Sequence, residues 1–176
     1  IAEATVYLTC PEICNNDIDD DGDGLTDCND PDCGQIINRE FNSGVTNWNL
    51  YNQNGAVSTF TIKNASQHSG NNSAKINITT STGTGWHIQF AQTGKSIETG
   101  KTYKLSFMAK ASSSRTISAA IDLGVSPFTT YHSFNASLTT IPESYSYTFT
   151  ATTTQLNNIR AIFNLGANSG NVWIDN

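Results

Sequence analysis

The densest chemistry in this chain of 176 residues lies near its start, where eight aspartates fall between Asp17 and Asp32. From Asp19 to Asp30 the run reads Asp-x-Asp-x-Asp-Gly-x-x-Asp-x-x-Asp. Calcium takes about six to eight oxygens at about 2.3–2.6 Å. A loop with carboxylates at its first, third, fifth, ninth and twelfth positions and a carbonyl at its seventh can wrap one ion. That pattern makes Asp19, Asp21, Asp23, Asp27 and Asp30 side-chain ligands, with Leu25 giving its carbonyl and Gly24 the sharp turn. The plainer reading is a solvated acidic linker. A linker needs neither regular acid spacing nor a turn glycine, and unpaired like charges at this density repel.

All four cysteines, Cys10, Cys14, Cys28 and Cys33, bracket the same run. Zinc knuckles come as Cys-x-x-Cys pairs, whereas here the gaps are three, thirteen and four residues with no histidine between them. Two disulfides fit the spacing better. Four cysteines allow three connectivities, and the spacing does not choose among them. Disulfides require maturation outside a reducing cytosol, so a secreted or cell-surface protein is expected.

Charge divides the chain near Gly34. Residues 1–33 hold ten acids and no Lys or Arg, a charge of −10, while residues 34–176 hold nine Lys/Arg against five acids, a charge of +4. The net −6 is therefore an average over two different objects, an acidic segment (1–34) and a larger domain (35–176). The larger part has no basic cluster to track phosphates, so nucleic acid is not an expected partner. No apolar run approaches the roughly 20 residues needed to cross a bilayer, so no membrane partner is expected either. Ile1 is not an initiator methionine, and the chain reads as a soluble mature fragment.

The residues of the larger domain need a scaffold, and its composition says which. With 23 Thr, 18 Ser and 20 Asn, and β-branched and aromatic residues in short alternating runs between Gly, Asn, Ser and Pro, the pattern is all-β. Candidate strands cover 48–51, 57–62, 74–79, 86–91, 102–109, 116–123, 131–138, 145–151, 159–165 and 172–174. That many strands in one domain predicts a jelly-roll β-sandwich of two antiparallel sheets. Period-two alternation sends Ile88 and Phe90, Tyr103 to Phe107, Ile117 to Leu123, Tyr145 to Phe149 and Ala161 to Leu165 inward at every second position. The opposite faces then carry His87, Gln89, Asp122, Tyr131, Arg160 and Asn164, with Trp86 and Tyr51 at the rim. Trp48 and Trp173 are expected in the core. The face bearing Lys104, Ser106, Lys110, Ser146 and Thr148 reads as ordinary solvated surface.

Two resemblances follow from these residues. The segment from about 10 to 33 resembles the aspartate-rich calcium-binding repeats of thrombospondin type 3 kind, in a cysteine-flanked form, which implies a calcium-stiffened spacer. From about 36 to 176 the order of Asn38-Arg39-Glu40-Phe41-Asn42, His68-Ser69-Gly70, Trp86-His87-Ile88-Gln89-Phe90, Gly100 to Phe107, Ala109-Lys110-Ala111, Arg115-Thr116-Ile117, Phe163-Asn164-Leu165-Gly166 and Val172 to Asn176 is similar to family 4/9-type carbohydrate-binding modules. That family implies a concave sheet face gripping one glycan chain and a structural calcium. In this chain the calcium would be held by Asn42, where the family has an acid, and by Asp175, with a carbonyl near Ser69 or Gly70.

A glycan offers hydroxyls and flat apolar ring faces, so its receptor needs amides, carboxylates, Arg or His to pair with and an aromatic ring to stack on. Trp86, His87, Gln89, Asp122, Tyr131, Arg160, Asn164 and Tyr51 supply that set. Hydrolysis needs two facing carboxylates, and only Asp122 of the domain's acids falls on this face. No Gly-x-Ser-x-Gly elbow is present, and a lyase-like pairing of Tyr131 with His87 is the one remaining catalytic arrangement. The expectation is a non-catalytic module that binds a polysaccharide of β-glucan or hemicellulose class, with Ca2+ as its cofactor. It would target an attached catalytic or other domain of the same larger chain, such as a glycoside hydrolase, to that polysaccharide. A protein-binding adhesion sandwich would use the same fold.

Overall fold

The computed structural model describes residues 36–39, 41–64 and 72–175. The acidic segment, with Asp19, Asp21, Asp23, Leu25, Asp27 and Asp30, lies outside the described residues, as do Glu40, Ser69 and Gly70. Ten strands follow in chain order: β1 (Asn49–Asn52), β2 (Val57–Asn64), β3 (Asn72–Thr80), β4 (Ile88–Ile97), β5 (Thr102–Ala111), β6 (Arg115–Leu123), β7 (Thr130–Leu138), β8 (Glu143–Thr150), β9 (Gln155–Asn164) and β10 (Gly170–Asp175). They make two antiparallel five-stranded sheets, ordered β1-β4-β9-β6-β7 and β2-β3-β10-β5-β8.

Alternation builds the interior. In β5, Tyr103, Leu105, Phe107 and Ala109 are buried while Lys104, Ser106 and Met108 between them are only half-buried. The inner faces of both sheets close on one apolar cluster in which Trp48 stacks on Phe90 at 4.7 Å and the edge of Phe163 meets Phe107 at 4.9 Å. Each large side chain taken fully from water stabilises the fold by about 1.5–3 kcal/mol. The segment before β1 is held on by polar links. Gln92, almost wholly buried, bonds both the N–H and the carbonyl of Ile37 (2.8 and 2.6 Å), and Trp48 Nε1 donates to the Asn38 carbonyl at 3.3 Å.

Three expectations need correcting. The strand expected from Trp86 begins only at Ile88, because Gly85–His87 form a single 3-10 turn in which the His87 N–H bonds the Thr84 carbonyl. Trp173 is on the outer face of its sheet: its β10 neighbours Val172 and Ile174 are buried in the core, and alternation turns Trp173 the other way. Tyr131, expected on the outer face of β7, packs against the core. The β6/β7 register jumps from Ile121 opposite His132 to Asp122 opposite Thr130, so a bulge absorbs Tyr131 and Thr130 takes the outer position.

Candidate functional site

The outer face of the β1-β4-β9-β6-β7 sheet assembles the site by register. One row runs Tyr51, Gln89, Asn164, Ser118, Asn135 across all five strands. The next runs Asn49, Ala91, Ile162, Ala120, Ser133, and its three central residues form a buried apolar cluster separate from the main core. A third contains Arg160, Asp122 and Thr130. Over these rows lies an open trough of about 770 Å³, lined by Tyr51, Gln53, Trp86, Gln89, Thr93, Asp122, Phe128, Thr130, Arg160 and Asn164 among others.

Its polar groups form one chain. Gln53 Nε2 donates to Gln89 Oε1 at 3.4 Å, Gln89 Nε2 to Asn164 Oδ1 at 3.2 Å, Arg160 Nη1 to Gln89 Oε1 at 3.4 Å and Arg160 Nη2 to Asp122 Oδ2 at 3.3 Å. These are long bonds, and Asp122 Oδ1 and Arg160 Nε, both buried, have no hydrogen-bond partner among the described residues. Donors and acceptors so loosely engaged at a trough floor can be re-paired with hydroxyls at small cost, since leaving them unpaired is what is expensive. Burial pushes the Asp122 carboxyl above its ordinary range, with the Thr130 hydroxyl and the Arg160 guanidinium acting in the opposite direction. With the carboxyl ionised, the Arg160–Asp122 pair carries no net charge.

Three aromatic rings stand out of this surface, Tyr51 (39% exposed), Trp86 (48%) and Phe128 (51%). β4 and β6 both run antiparallel to β9, so Trp86, just before β4, and Phe128, just after β6, sit at opposite ends of the strands. Between them the Asn164 and Arg160 rows are four residues, about 13 Å, apart along β9. Phe128 lies over the Arg160 guanidinium, 5.1 Å from ring centroid to Cζ. Trp86 stands on its turn because Gly166 passes close beneath: the Gly166 N–H bonds the Gly85 carbonyl at 2.7 Å, and a Cβ at Gly166 would lie 2.6 Å from the Thr84 carbonyl oxygen.

The trough is thus open, with groups that can pair with hydroxyls along its floor and rings at its ends. The carbohydrate binding domain family of 4/9 type matches residues 34–170. The chain belongs to that family. A family 4 carbohydrate-binding module of known structure is 26% identical over 80% of this chain and 95% of its own, with a TM-score of 0.70. The N-terminal cellulose-binding domain of Cellulomonas fimi β-1,4-glucanase C (21% identity, 73% of this chain and 84% of that one, TM-score 0.55) shares the fold. So does the family 11 module of Clostridium thermocellum, solved with a β-1,3-1,4-mixed-linked tetrasaccharide (18%, 78% and 89%, TM-score 0.53). No curated protein matches the chain.

Within this carbohydrate-binding domain, Tyr51, Trp86, Gln89, Asp122, Arg160 and Asn164 come together in the trough, all but Trp86 from strand positions. His87 does not line it. Asn54 Nδ2 donates to its Nε2 at 2.8 Å, which leaves the Nδ1–H to meet Thr82 Oγ1 at 2.6 Å, and its ring meets Trp86 edge-on at 4.1 Å. Tyr131 is turned to the core, so the Tyr131–His87 pair is not assembled. Gln53, Phe128 and Thr130 join the lining although alternation does not point to them: Gln53 and Phe128 sit in turns, where alternation says nothing, and Thr130 arrives through the bulge. Asp122 is the one carboxylate among the described lining residues, which suits a non-catalytic binding domain. Of the ligands expected for a sandwich calcium, Ser69 and Gly70 lie outside the described residues, Asn42 Oδ1 accepts from Asn72 Nδ2 at 3.2 Å, and Asp175 is buried and engaged.

Proposed function

We propose that the trough binds a single neutral polysaccharide chain of the β-glucan or hemicellulose class, and that the domain thereby holds an attached catalytic or other domain of a larger secreted or cell-surface protein against it. The observation that carries this reading is the row Tyr51-Gln89-Asn164 and the pair Arg160–Asp122 lying under exposed rings at both ends. Amides and a neutralised ion pair suit hydroxyls, and Trp86, Tyr51 and Phe128 suit flat sugar faces. The cellulose-binding and mixed-linkage-glucan-binding relatives support the same ligand class. Affinity gel electrophoresis on neutral β-glucans and xylans tests it. Retardation by at least one is expected, and migration unchanged on all of them would turn the reading toward a protein-binding adhesion sandwich.

The acidic segment is proposed as a calcium-binding spacer of thrombospondin type 3 kind, with Asp19, Asp21, Asp23, Asp27, Asp30 and the Leu25 carbonyl as ligands and two disulfides closing it. Calorimetric titration of the chelator-treated chain with calcium should show uptake of one ion without change in the thermal unfolding of the sandwich, which has an apolar core of its own. No uptake would remove the ion from the account.

A further inference from the structure

The outer face of the second sheet departs from the solvated surface its sequence predicts. Register sets Thr61, Lys75, Trp173 and Lys110 in one row across β2, β3, β10 and β5. Lys75 Nζ and Lys110 Nζ lie 5.4 and 5.1 Å from the centroid of the Trp173 ring, one from each strand flanking β10. Neither ammonium forms an ion pair among the described residues, and the Trp173 N–H has no acceptor there, whereas that of Trp48 does. Lys110 is 9% exposed, so its stem is held against the ring instead of swinging free in water. Lys63 and Lys104 occupy outer positions of β2 and β5 on the same face. The only carboxylate at an outer position of the strands flanking this row is Asp175, which is buried and engaged.

The two faces of the sandwich therefore differ in kind. The trough neutralises its one guanidinium with Asp122, while the opposite face keeps two cations, unpaired among the described residues, against the ring of one indole. We propose that the Lys75–Trp173–Lys110 row is a second binding site, for an anionic polysaccharide. Carboxylates or sulfates spaced along the chain would meet the two ammoniums, and a ring hydroxyl or acidic oxygen would accept from the indole N–H. The ammonium contacts are charge-assisted, and the indole pre-arranges the cations.

Affinity electrophoresis of the full chain at low salt, with chelator present so that calcium cannot bridge acidic residues to the polymer, separates the possibilities. Polygalacturonate supplies the carboxylate arm, dextran sulfate the sulfate arm and a neutral β-glucan the trough control. Retardation by at least one anionic polymer is expected. It should weaken about tenfold in Lys75→Gln/Lys110→Gln and fade with added salt, while retardation by the neutral glucan stays at the parent's level. In Trp86→Ala the pattern should invert, so failure of this site and failure of the trough are distinguishable. Equal retardation of the parent and the double lysine variant by the anionic polymers would overturn the proposal. So would an absence of retardation by both; if salt alone then shifted the Trp173 indole NMR signal, the face would belong to the chain's own acidic segment.

Discussion

Asp122 is the residue on which the trough's electrostatics turn. Its carboxyl is raised by burial, so the folded state holds its proton to higher pH than the unfolded chain does. Stability contributed this way is fully present below the unfolded pKa and is lost as pH rises through the folded one. Asp122→Asn removes this titration and puts a neutral amide where the protonated carboxyl stands. The parent's stability relative to Asp122→Asn should therefore fall as pH rises from about 3 to about 7, across and above the carboxylate range. Calorimetric melting of both proteins along that series checks it; a relative stability that stays constant or rises would mean the carboxyl is not raised. The hydrogen-bonded floor of the trough is legible in the amino-acid sequence, since Gln89, Asn164, Asp122 and Arg160 alternate with unmistakable core positions. Tyr131 is not, because one inserted residue at a bulge reverses a face without leaving a mark in composition. Phe128 is not, because it sits at φ +57° in a loop, where no alternation points its ring.

At the scale of elements, the site depends on a turn more than on a strand. Existence of all ten strands follows from alternation, but the start of β4 does not: Trp86-His87 continues the apolar-polar pattern, and only the contact with Gly166 marks it as a 3-10 turn. Gly166 packs against Thr84, Gly85 and Ile88 backbone so closely that any Cβ must displace the turn. Gly166→Ala should therefore destabilise the domain by about 1–3 kcal/mol, the usual cost of overpacking. It should also weaken glycan binding by moving Trp86, whereas Gly83→Ala, strained by its positive φ but open around its Cβ, should leave binding intact. Urea unfolding together with glycan titration of the two variants measures both effects. Normal binding by a destabilised Gly166→Ala protein would show that the turn is not what places the ring.

For the whole molecule, charge is divided in sequence between an acidic segment and a basic sandwich domain, and within the sandwich between a neutral trough on one sheet and a cationic row on the other. Two tryptophans show why core prediction succeeds or fails in such a fold. Trp48 is buried under both sheets, and Trp173 is turned outward by neighbours that are themselves core, a distinction hydrophobicity alone does not make. The central claim is that the β1-β4-β9-β6-β7 face, and not its opposite, grips the neutral glycan. The direct measurement is affinity electrophoresis, on a neutral polysaccharide that retards the parent, of Trp86→Ala, Gln89→Ala and Asn164→Ala beside Ser106→Ala and Thr148→Ala from β5 and β8. Loss of a stacking ring or of a buried hydroxyl-pairing group costs about 1–3 kcal/mol, so the first three should bind roughly ten- to a hundredfold more weakly while the last two match the parent. Equal retardation of all five would contradict the account.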